Sequence, residues 1–234
     1  MKAVILAAGR GTRMPELTKD RPKCLIRVGE KTIIERQIEI LRKNSVEDIY
    51  VVIGYKADRV REKIGDIDGV ELIMNEEYEV TDNIYSLYLV SNHLKGEEFI
   101  LLNGDVIFEE AIIEKLVSKE GDIAPVDSKY YDLEELKIRE RDGRVVEILP
   151  KDASRESSDG STIGIFKLSS KGSEVLFDEI EKCIEKELKR KWFEYALNNV
   201  LKEIKMYCED VHGLKWVEAD TPEDIEKALE LFGR

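Results

Sequence analysis

The feature that most constrains the fold of this chain lies at its start, where an apolar run at residues 2–6 passes directly into a glycine-rich segment at residues 7–13. A short apolar run that ends in a turn signal indicates a buried strand. Gly9 and Gly11 lack a Cβ, so backbone N–H groups of this segment can turn toward an anion. The pattern predicts a strand that opens into an anion-binding loop.

Two cations accompany this loop, Arg13 within it and Lys23 in the segment Arg21-Pro22-Lys23. A guanidinium binds phosphate oxygens through its planar fork, whereas an ammonium acts as a mobile point charge. We therefore expect the loop to hold a polyphosphate. The glycine spacing matches neither G-x-G-x-x-G nor G-x-x-x-x-G-K-S/T, which argues against a dinucleotide-binding fingerprint and against a P-loop.

Length and charge limit the remaining classes of protein. The chain has 234 residues, enough for one large α/β domain, and we assign residues 1–234 to a single domain. Its net charge of −13 disfavours nucleic acid as a partner. No apolar stretch reaches about 18 residues, and no signal-peptide pattern precedes the first strand. We therefore expect no direct membrane insertion and a cytoplasmic location.

The composition carries two further signals. Cys24, Cys183 and Cys208 are odd in number and lack C-x-x-C spacing, which argues against a disulfide framework and against a zinc site. The chain is 37% charged and contains a single glutamine, Gln37. Abundant ion pairs and few labile amides are typical of thermophile proteins, so we expect a thermophilic source.

Strand-like and helix-like segments alternate through the first half of the chain, which is typical of a parallel sheet flanked by helices. Near residue 135 the pattern changes, because two alternating segments flank Asp142-Gly143 and predict a hairpin with a type I′-like turn. Thr221 followed by Pro222 predicts the N-cap of a closing helix.

These patterns together predict an α/β fold with a Rossmann-like, mixed but mostly parallel sheet flanked by helices. A small antiparallel hairpin subdomain is predicted as an insertion at about residues 128–168. Strands are predicted at residues 2–7, 49–54, 71–74, 99–102, 122–126, 136–141, 144–149, 162–168, 205–208 and 215–218, and helices at residues 32–43, 58–64, 84–93, 109–118, 173–189, 192–203 and 221–231.

Residues 6–14, Leu-Ala-Ala-Gly-Arg-Gly-Thr-Arg-Met, together with Arg21-Pro22-Lys23, resemble the signature of the GT-A-like nucleotidyltransferases. These enzymes join an NTP to a phosphorylated acceptor and release pyrophosphate. One departure is Pro15, because the family usually has its first loop proline one position later. The resemblance implies that Arg13 and Lys23 are catalytic and that the nucleotide contacts Leu6, Ala7, Ala8, Gly9, Gly11, Thr12 and Arg13.

Nucleotidyl transfer needs a divalent cation, because the leaving group is pyrophosphate. Two strand-like segments end in acids, at Gly104-Asp105 and at Glu218-Ala219-Asp220. In the family that the chain resembles, acids at these two places chelate the metal, which implies Asp105 and Asp220 as Mg²⁺ ligands. The alternative for each residue alone is an aspartate in a turn or at a helix N-cap.

The middle and the end of the chain resemble one branch of the family, the phosphocholine and inositol-1-phosphate cytidylyltransferases. The resemblance lies in Asn75-Glu76 and in residues 81–89, 192–198 and 212–220. It implies CTP as the nucleotide. Asn83 and Ser86 would then read the edge of the pyrimidine, since amides and hydroxyls can hydrogen-bond to it.

Two acceptors compete under this resemblance. Phosphocholine calls for an aromatic cage around its quaternary ammonium. Inositol-1-phosphate calls for polar partners instead, and the thermophile-like composition favours it by a small margin. Candidates for the cage are Tyr85, Trp192, Tyr130 and Tyr131, and candidates for the polar partners are Asp127, Lys137 and Glu194.

The acceptor is expected to bind at the hairpin subdomain, with its phosphate in contact with lysines. Lys23 would bridge the α-phosphate of the NTP and the acceptor phosphate. Lys137 and Lys151 would clamp the acceptor, and the alternative for these two lysines is a solvated charge on a strand. The predicted acceptor-binding residues are Lys23, Asp127, Lys137, Lys151, Trp192 and Glu194.

Two other functions stay open. One is a sugar-1-phosphate nucleotidyltransferase that makes an NDP-sugar, and the other is a non-catalytic regulatory relative of the same fold. Regulatory relatives tend to lose the cationic loop or the metal-binding acids, both of which this chain retains. The sequence leaves the oligomeric state, including a homodimer, open.

Overall fold

The computed structural model describes residues 1–132 and 135–233. Within these residues the chain forms fourteen strands, nine α-helices and two short 3-10 helices, Lys23–Leu25 and Arg155–Ser157. The strands are β1 Lys2–Ala7, β2 Arg27–Val28, β3 Lys31–Thr32, β4 Asp48–Ile53, β5 Val70–Met74, β6 Phe99–Asn103, β7 Val106–Phe108, β8 Asp122–Asp127, β9 Lys137–Arg141, β10 Arg144–Leu149, β11 Gly160–Thr162, β12 Ile165–Leu168, β13 Met206–Asp210 and β14 Trp216–Glu218. The helices are α1 Pro15–Thr18, α2 Ile33–Lys43, α3 Ala57–Ile64, α4 Asn83–Tyr88, α5 Ser91–Leu94, α6 Ala111–Val117, α7 Ser170–Glu185, α8 Phe193–Val200 and α9 Pro222–Phe232.

Ten strands form one sheet in the order β11-β9-β10-β13-β8-β12-β6-β1-β4-β5. β1 pairs in parallel with β4 on one side and with β6 on the other, so that Ile5 lies between Val51 and Leu102. β4 and β5 continue the parallel part, whereas β12 is antiparallel to both β6 and β8. The predicted mixed sheet flanked by helices is confirmed, and its antiparallel part extends beyond the predicted hairpin.

Alternate residues of β1 face two hydrophobic cores, one on each side of the sheet. Because successive side chains of a strand point to opposite faces, a strand covered by helices on both sides must be apolar throughout. This explains the unbroken apolar run at the start of the chain. Ala3, Ile5 and Ala7 share one core with α2, α3 and α6, while Val4, Leu6 and Ala8 share the other with α4, α7 and α8.

A third, smaller core lies beneath the loop that follows β1. Met14 and Ile26, which flank the segment with Lys23, pack there with Val217 of β14 and Ile225 of α9. The two cation-bearing segments near the start of the chain are thereby anchored to its last strand and helix.

β9 and β10 form the predicted hairpin. The φ angles of Asp142 and Gly143 are +53° and +76°, which is the requirement of a type I′ turn. β10 also pairs with β13, and β9 with β11, so the hairpin extends the main sheet. Within the described part of the chain, no helix has the length and apolar character needed to cross a bilayer.

Candidate active site

The loop after β1 is folded tightly over Lys23. Gly11 has a φ of +67°, and a Cβ on it would lie 3.1 Å from Cγ2 of Thr18 and 3.3 Å from Cβ of Lys23. The Thr18 hydroxyl donates to the carbonyl of Gly11 at 2.9 Å and so closes the loop. A side chain at position 11 would therefore strain the backbone and displace the lysine.

Two strand ends bring the predicted metal-binding acids together. β7 and β14 pair antiparallel, with Glu218 opposite Val106, and the Ala219 N–H donates to the Asp105 carbonyl at 2.9 Å. Gly104 passes so close to β1 that a Cβ would lie 2.8 Å from the Leu6 carbonyl oxygen. The short ladder thus sets Asp105 and Asp220 next to the loop.

The single glutamine of the chain holds the turn that carries Asp105. The Gln37 amide on α2 is 1% exposed, and its Nε2 donates to the carbonyls of Asn103 and Val106, at 2.8 Å each. Sequence reasoning missed this role. A buried polar residue on the apolar face of a helix, in a chain otherwise without glutamine, was the available signal.

A capping box fixes the second acid. Thr221 caps α9, and the Asp224 carboxylate accepts from the Thr221 N–H at 2.8 Å and from the Asp220 N–H at 3.1 Å. The predicted N-cap at Thr221 is confirmed. Asp220 is the residue before the cap, so the capping box also binds its backbone N–H, and Asp220 is only 2% exposed.

The cations and acids of the two predicted groups form one ion cluster. Lys23 Nζ lies 2.9 Å from Asp105 Oδ2 and 2.6 Å from Asp220 Oδ1, and Arg13 Nη2 lies 2.5 Å from Asp220 Oδ2. Burial by itself would lower the pKa of Lys23, but the two carboxylates outweigh it and raise that pKa. Burial likewise opposes ionisation of Asp220, and Lys23 and Arg13 nevertheless hold its pKa below the ordinary value.

Three carboxylates fit a divalent cation. Oxygens of Asp105, Glu218 and Asp220 all lie within 4.8 Å of one another. Oδ1 of Asp105 is buried and has no hydrogen-bond partner among the described residues, which leaves it available as a ligand. Such oxygen donors suit Mg²⁺, which commonly takes one or two carboxylates. Glu218 was not predicted, and burial together with neighbouring Asp105 and Glu135 raises its pKa.

The predicted nucleotide-binding residues lie along two adjoining cavities, which share Leu6, Gly9, Arg13, Asp82 and Asp105. We call the cavity that also contains Lys23 the phosphate cavity, and the cavity that contains Ser86 and Glu194 the main cavity. The phosphate cavity includes Ala7, Gly11 and Thr12, and the main cavity includes Ala8, Asn75, Asn83, Ser86, Glu135, Lys151, Trp192, Glu194 and Glu218.

At one end of the main cavity the wall includes the hydroxyl-bearing residues Ser86 and Thr81, next to Asn75. The Asn75 amide donates to Ser86 Oγ at 3.1 Å and to Thr81 Oγ1 at 3.3 Å, and accepts from the Glu77 N–H at 2.9 Å. Asn75 is thereby fully engaged. The Ser86 hydroxyl, 4% exposed, accepts from it and keeps its own hydrogen to donate.

The other end of the main cavity contains a buried acid beside an aromatic ring. Glu194 is 7% exposed, and its Oε2 has no hydrogen-bond partner among the described residues. Burial raises the pKa of Glu194 to about 7. The ammonium of Lys151 lies over the Trp192 ring, 5.4 Å from its centroid. Because Glu194 lines this cavity, its carboxylate is suited to accept a hydrogen bond from a ligand.

Lys137 is not placed to bind an acceptor, contrary to the prediction. Its side chain is fully buried, and its ammonium donates to the backbone carbonyls of Asp132, Glu135 and Lys151, the last two at 2.6 and 2.5 Å. The amine therefore joins two chain segments, and it lines neither cavity. Burial lowers the pKa of Lys137.

Asp127 is likewise a structural residue and not an acceptor ligand. Its carboxylate accepts from the Trp216 indole at 3.1 Å and from the N–H groups of Lys129 and Tyr130 at 3.1 and 3.0 Å. It lies outside both cavities and fastens the end of β8 to the start of β14.

The predicted aromatic cage does not form. Of its four candidates only Trp192 lines the main cavity. Tyr85 stacks on Tyr88, Tyr130 packs edge-on against Trp216, and the Tyr131 hydroxyl donates to the Ala153 carbonyl.

Comparison with known proteins agrees with this geometry. The family model described as MobA-like NTP transferase domain matches residues 3–163. The bifunctional IPC transferase and DIPP synthase of Aquifex aeolicus is 32% identical over 228 residues, which cover 97% of this chain and 50% of that protein. The chain thus spans about half the length of the curated relatives that it matches first.

Two solved structures share the fold over nearly the whole chain. One is the CTP:phosphocholine cytidylyltransferase of Streptococcus pneumoniae, with a TM-score of 0.81, 27% identity and 98% of each chain covered. The other is the inositol-1-phosphate CTP transferase of T. maritima, with a TM-score of 0.80, 23% identity and coverage of 98% and 94%. Because the family model matches more than half of its residues, the chain belongs to the MobA-like NTP transferase domain family.

Proposed function

We propose that this protein is a Mg²⁺-dependent cytidylyltransferase. It would couple CTP to a small phosphorylated polyol, with inositol-1-phosphate as the favoured acceptor, and release pyrophosphate. The observation that carries the proposal is the position of Asp105, on the wall of both cavities and 2.9 Å from Lys23. A triphosphate in one cavity and an acceptor phosphate in the other would meet at this point.

The nucleotide would lie along the loop after β1. The exposed Gly9 and the guanidinium of Arg13 suit the triphosphate, since backbone N–H groups and a planar fork both bind phosphate oxygens. The Ser86 hydroxyl suits the base, because it can donate to an acceptor on the edge of a pyrimidine. The pneumococcal and T. maritima relatives, which are CTP-dependent transferases, support CTP.

The reaction needs positioning and charge stabilisation more than covalent help. An oxygen of the acceptor phosphate attacks the α-phosphorus, a new P–O bond forms, and pyrophosphate leaves with the electrons of the broken bond. Asp105 and Asp220, with Glu218 beside them, would hold Mg²⁺, which neutralises charge on the triphosphate when bound. Lys23 would then be free to stabilise negative charge on the α-phosphate and on the acceptor phosphate.

The acceptor end of the main cavity suits a polyol. The ammonium of Lys151 lies over the Trp192 ring, so this ring face is not free to hold a quaternary ammonium. A hydroxyl group can donate to the carboxylate of Glu194, which lines the cavity. Lys151 lies on the same wall and suits the acceptor phosphate.

A pyrophosphate-release assay with Mg²⁺ tests the proposal. It crosses CTP, UTP, dTTP, ATP and GTP with inositol-1-phosphate, phosphocholine, glycerol-3-phosphate, glucose-1-phosphate and mannose-1-phosphate. We expect the highest kcat/KM for CTP with inositol-1-phosphate. A higher value with phosphocholine would correct the acceptor, and turnover confined to a hexose phosphate would assign the protein to NDP-sugar synthesis. Inactivity across the grid would favour a regulatory relative.

A further inference from the structure

Tyr55, in the segment between β4 and α3, contacts the loop after β1 at its beginning. β1 and β4 are parallel neighbours, so the segments that follow both strands leave the sheet at the same edge. The Tyr55 N–H donates to the Ala8 carbonyl at 3.0 Å, directly before Gly9. The first residues of the loop are therefore attached to the segment after β4.

The hydroxyl of Tyr55 holds the far end of the same loop. It donates to the carbonyls of Thr18 and Lys19 at 3.1 and 2.9 Å, at the C-terminus of α1. Because the last carbonyls of a helix have no partner within the helix, this hydroxyl caps α1. The Thr18 hydroxyl in turn donates to the Gly11 carbonyl at 2.9 Å, so the cap of α1 is connected to the loop itself.

The ring of Tyr55 contacts the middle of the loop. The guanidinium carbon of Arg10 lies 5.6 Å from the ring centroid, which is a cation–π contact. Arg10 is an exposed residue. A single tyrosine thus contacts the start of the loop, a side chain in its middle and the short helix that follows it.

These contacts lie on both sides of the cations of the site. Arg13 is between Ala8 and Thr18 in the sequence, and Lys23 follows Lys19 by four residues. The Tyr55 hydroxyl is therefore bonded to the segment that joins the two cations. It limits how far that segment, and with it the loop, can move away from the sheet.

We propose that Tyr55 is a positioning residue for the triphosphate. It lines neither the phosphate cavity nor the main cavity, so it would act through the loop after β1 and not by contact with substrate. Its hydroxyl would hold the loop in the conformation in which backbone N–H groups and Arg13 bind the phosphates. The proposal rests on the proposed function, since it assumes that this loop binds the triphosphate.

The variant Tyr55→Phe tests the hydroxyl alone, because it keeps the ring beside Arg10. A loop that populates its binding conformation less often binds phosphates more weakly in the same proportion. We expect the dissociation constants of CTP and of pyrophosphate, measured by calorimetry with Mg²⁺, to rise about fivefold, since one hydrogen bond is lost. The dissociation constant of CMP, which lacks the β- and γ-phosphates, should change less than about twofold.

Two further measurements separate this role from a general loss of structure. The ratio of kcat/KM for CTP to that for UTP should stay at the wild-type value in Tyr55→Phe, because both nucleotides carry the same triphosphate. Tyr207→Phe is the matched control, since Tyr207 is 42% exposed on β13 and its hydroxyl makes no hydrogen bond within the described residues. Its binding constants should equal those of the wild type.

Three results in Tyr55→Phe would overturn the proposal. They are unchanged affinities for CTP and pyrophosphate, an equal loss of affinity for CMP, and a changed ratio of CTP to UTP. Wild-type binding of CTP and pyrophosphate is measured first. A wild type that binds neither would contradict the proposed function and this inference with it, whereas a wild type that binds both, with one of the three patterns in the variant, would contradict this inference alone.

Discussion

The two ends of the candidate active site differ in how their acidic side chains are paired with cations. At the phosphate end, Lys23 and Arg13 neutralise the acids within 2.9 Å. At the acceptor end, the buried acid Glu194 lines the same cavity as Lys151, and burial raises the pKa of this acid. At the first end both cations are paired with carboxylates, whereas no ion pair of Glu194 is found among the described residues.

This difference separates two tasks. Unpaired buried charge costs free energy, so a protein retains it where a ligand supplies the missing partner. The phosphate end already pairs its cations with carboxylates, and these ion pairs must open if it is to bind metal and phosphate. The acceptor end has no such ion pairs among the described residues, so under the proposed function its selectivity would come from groups that the correct acceptor satisfies.

The largest expected effect comes from breaking the ion cluster at its acids. Asp220→Asn should lower kcat by about 10³-fold, because it removes a proposed metal ligand while keeping the size of the side chain. Single-turnover pyrophosphate release at saturating CTP measures it. Asp68→Asn, an exposed aspartate, is the control. Metal-dependent activity near the wild-type level in Asp220→Asn would remove this residue from the metal site.

Removing the lysine of the same cluster should cost less. Lys23→Gln should lower kcat by about 10²-fold and change the CTP dissociation constant little, because the lysine acts mainly on charge that develops during transfer. Comparison of kcat with the calorimetric CTP affinity measures this split. Lys19→Gln, an exposed lysine of the same segment, should behave as the wild type. Unchanged kinetics in Lys23→Gln would contradict the proposed role.

At the acceptor end the first test concerns the scaffold. Lys137→Met should lower the free energy of unfolding by about 2–3 kcal/mol, since three backbone carbonyls lose the donor that a buried amine supplies. Urea denaturation gives the free energy, and Lys129→Met, at an exposed site, is the control. The acceptor KM should rise more than the CTP KM, because the freed segments include Glu135 and Lys151. A stable variant with an unchanged acceptor KM would show that the buried amine does not hold the site.

The smallest expected effect is a pH dependence at the acceptor end. The pKa of Glu194 is raised to about 7, so its carboxylate is ionised above that pH and becomes protonated below it. The protonated group has lost one acceptor, and the KM for inositol-1-phosphate should therefore rise a few-fold as the pH falls from about 8 to about 6.

Other groups titrate or carry charge in the same cavity, namely Asp82, Glu135, Lys151 and Glu218, and so does the substrate phosphate. The readout is therefore the ratio of acceptor KM values between Glu194→Gln and the wild type across that pH range. Phosphate ionisation cancels in this ratio. A ratio that does not vary with pH would assign the dependence to another group.

The sequence reveals the phosphate end far better than the acceptor end. The glycines, Arg13 and Lys23 lie within a short stretch whose chemistry is local, so their spacing alone indicates an anion site. Asp105 and Asp220 stand at strand ends, and resemblance to a family supplied their pairing. The structure brings both acids to the lysine.

The acceptor end depends on contacts that no spacing encodes. Lys137 and Asp127 have suitable chemistry for binding a ligand, but both are hydrogen-bonded within the protein. Lys137 donates to backbone carbonyls, and Asp127 accepts from backbone N–H groups and from an indole. Glu135 and Glu218 were missed for the converse reason, because only tertiary packing buries them beside the metal-binding acids. A charged residue in one sequence does not reveal whether its partner will be solvent, ligand or main chain.

Hydrolysis of the Gln37 side chain would limit how long the candidate active site keeps its shape. Glutamine amides hydrolyse slowly, and faster when hot, which is one reason why thermophile proteins contain few of them. Hydrolysis here would replace the donor with a carboxylate facing the carbonyls of Asn103 and Val106, and it would push apart the turn that bears Asp105. At 1% exposure the amide is shielded from water by the packing of α2. The packing of α2 should therefore slow the hydrolysis of this amide at high temperature, and with it the loss of the turn that bears Asp105.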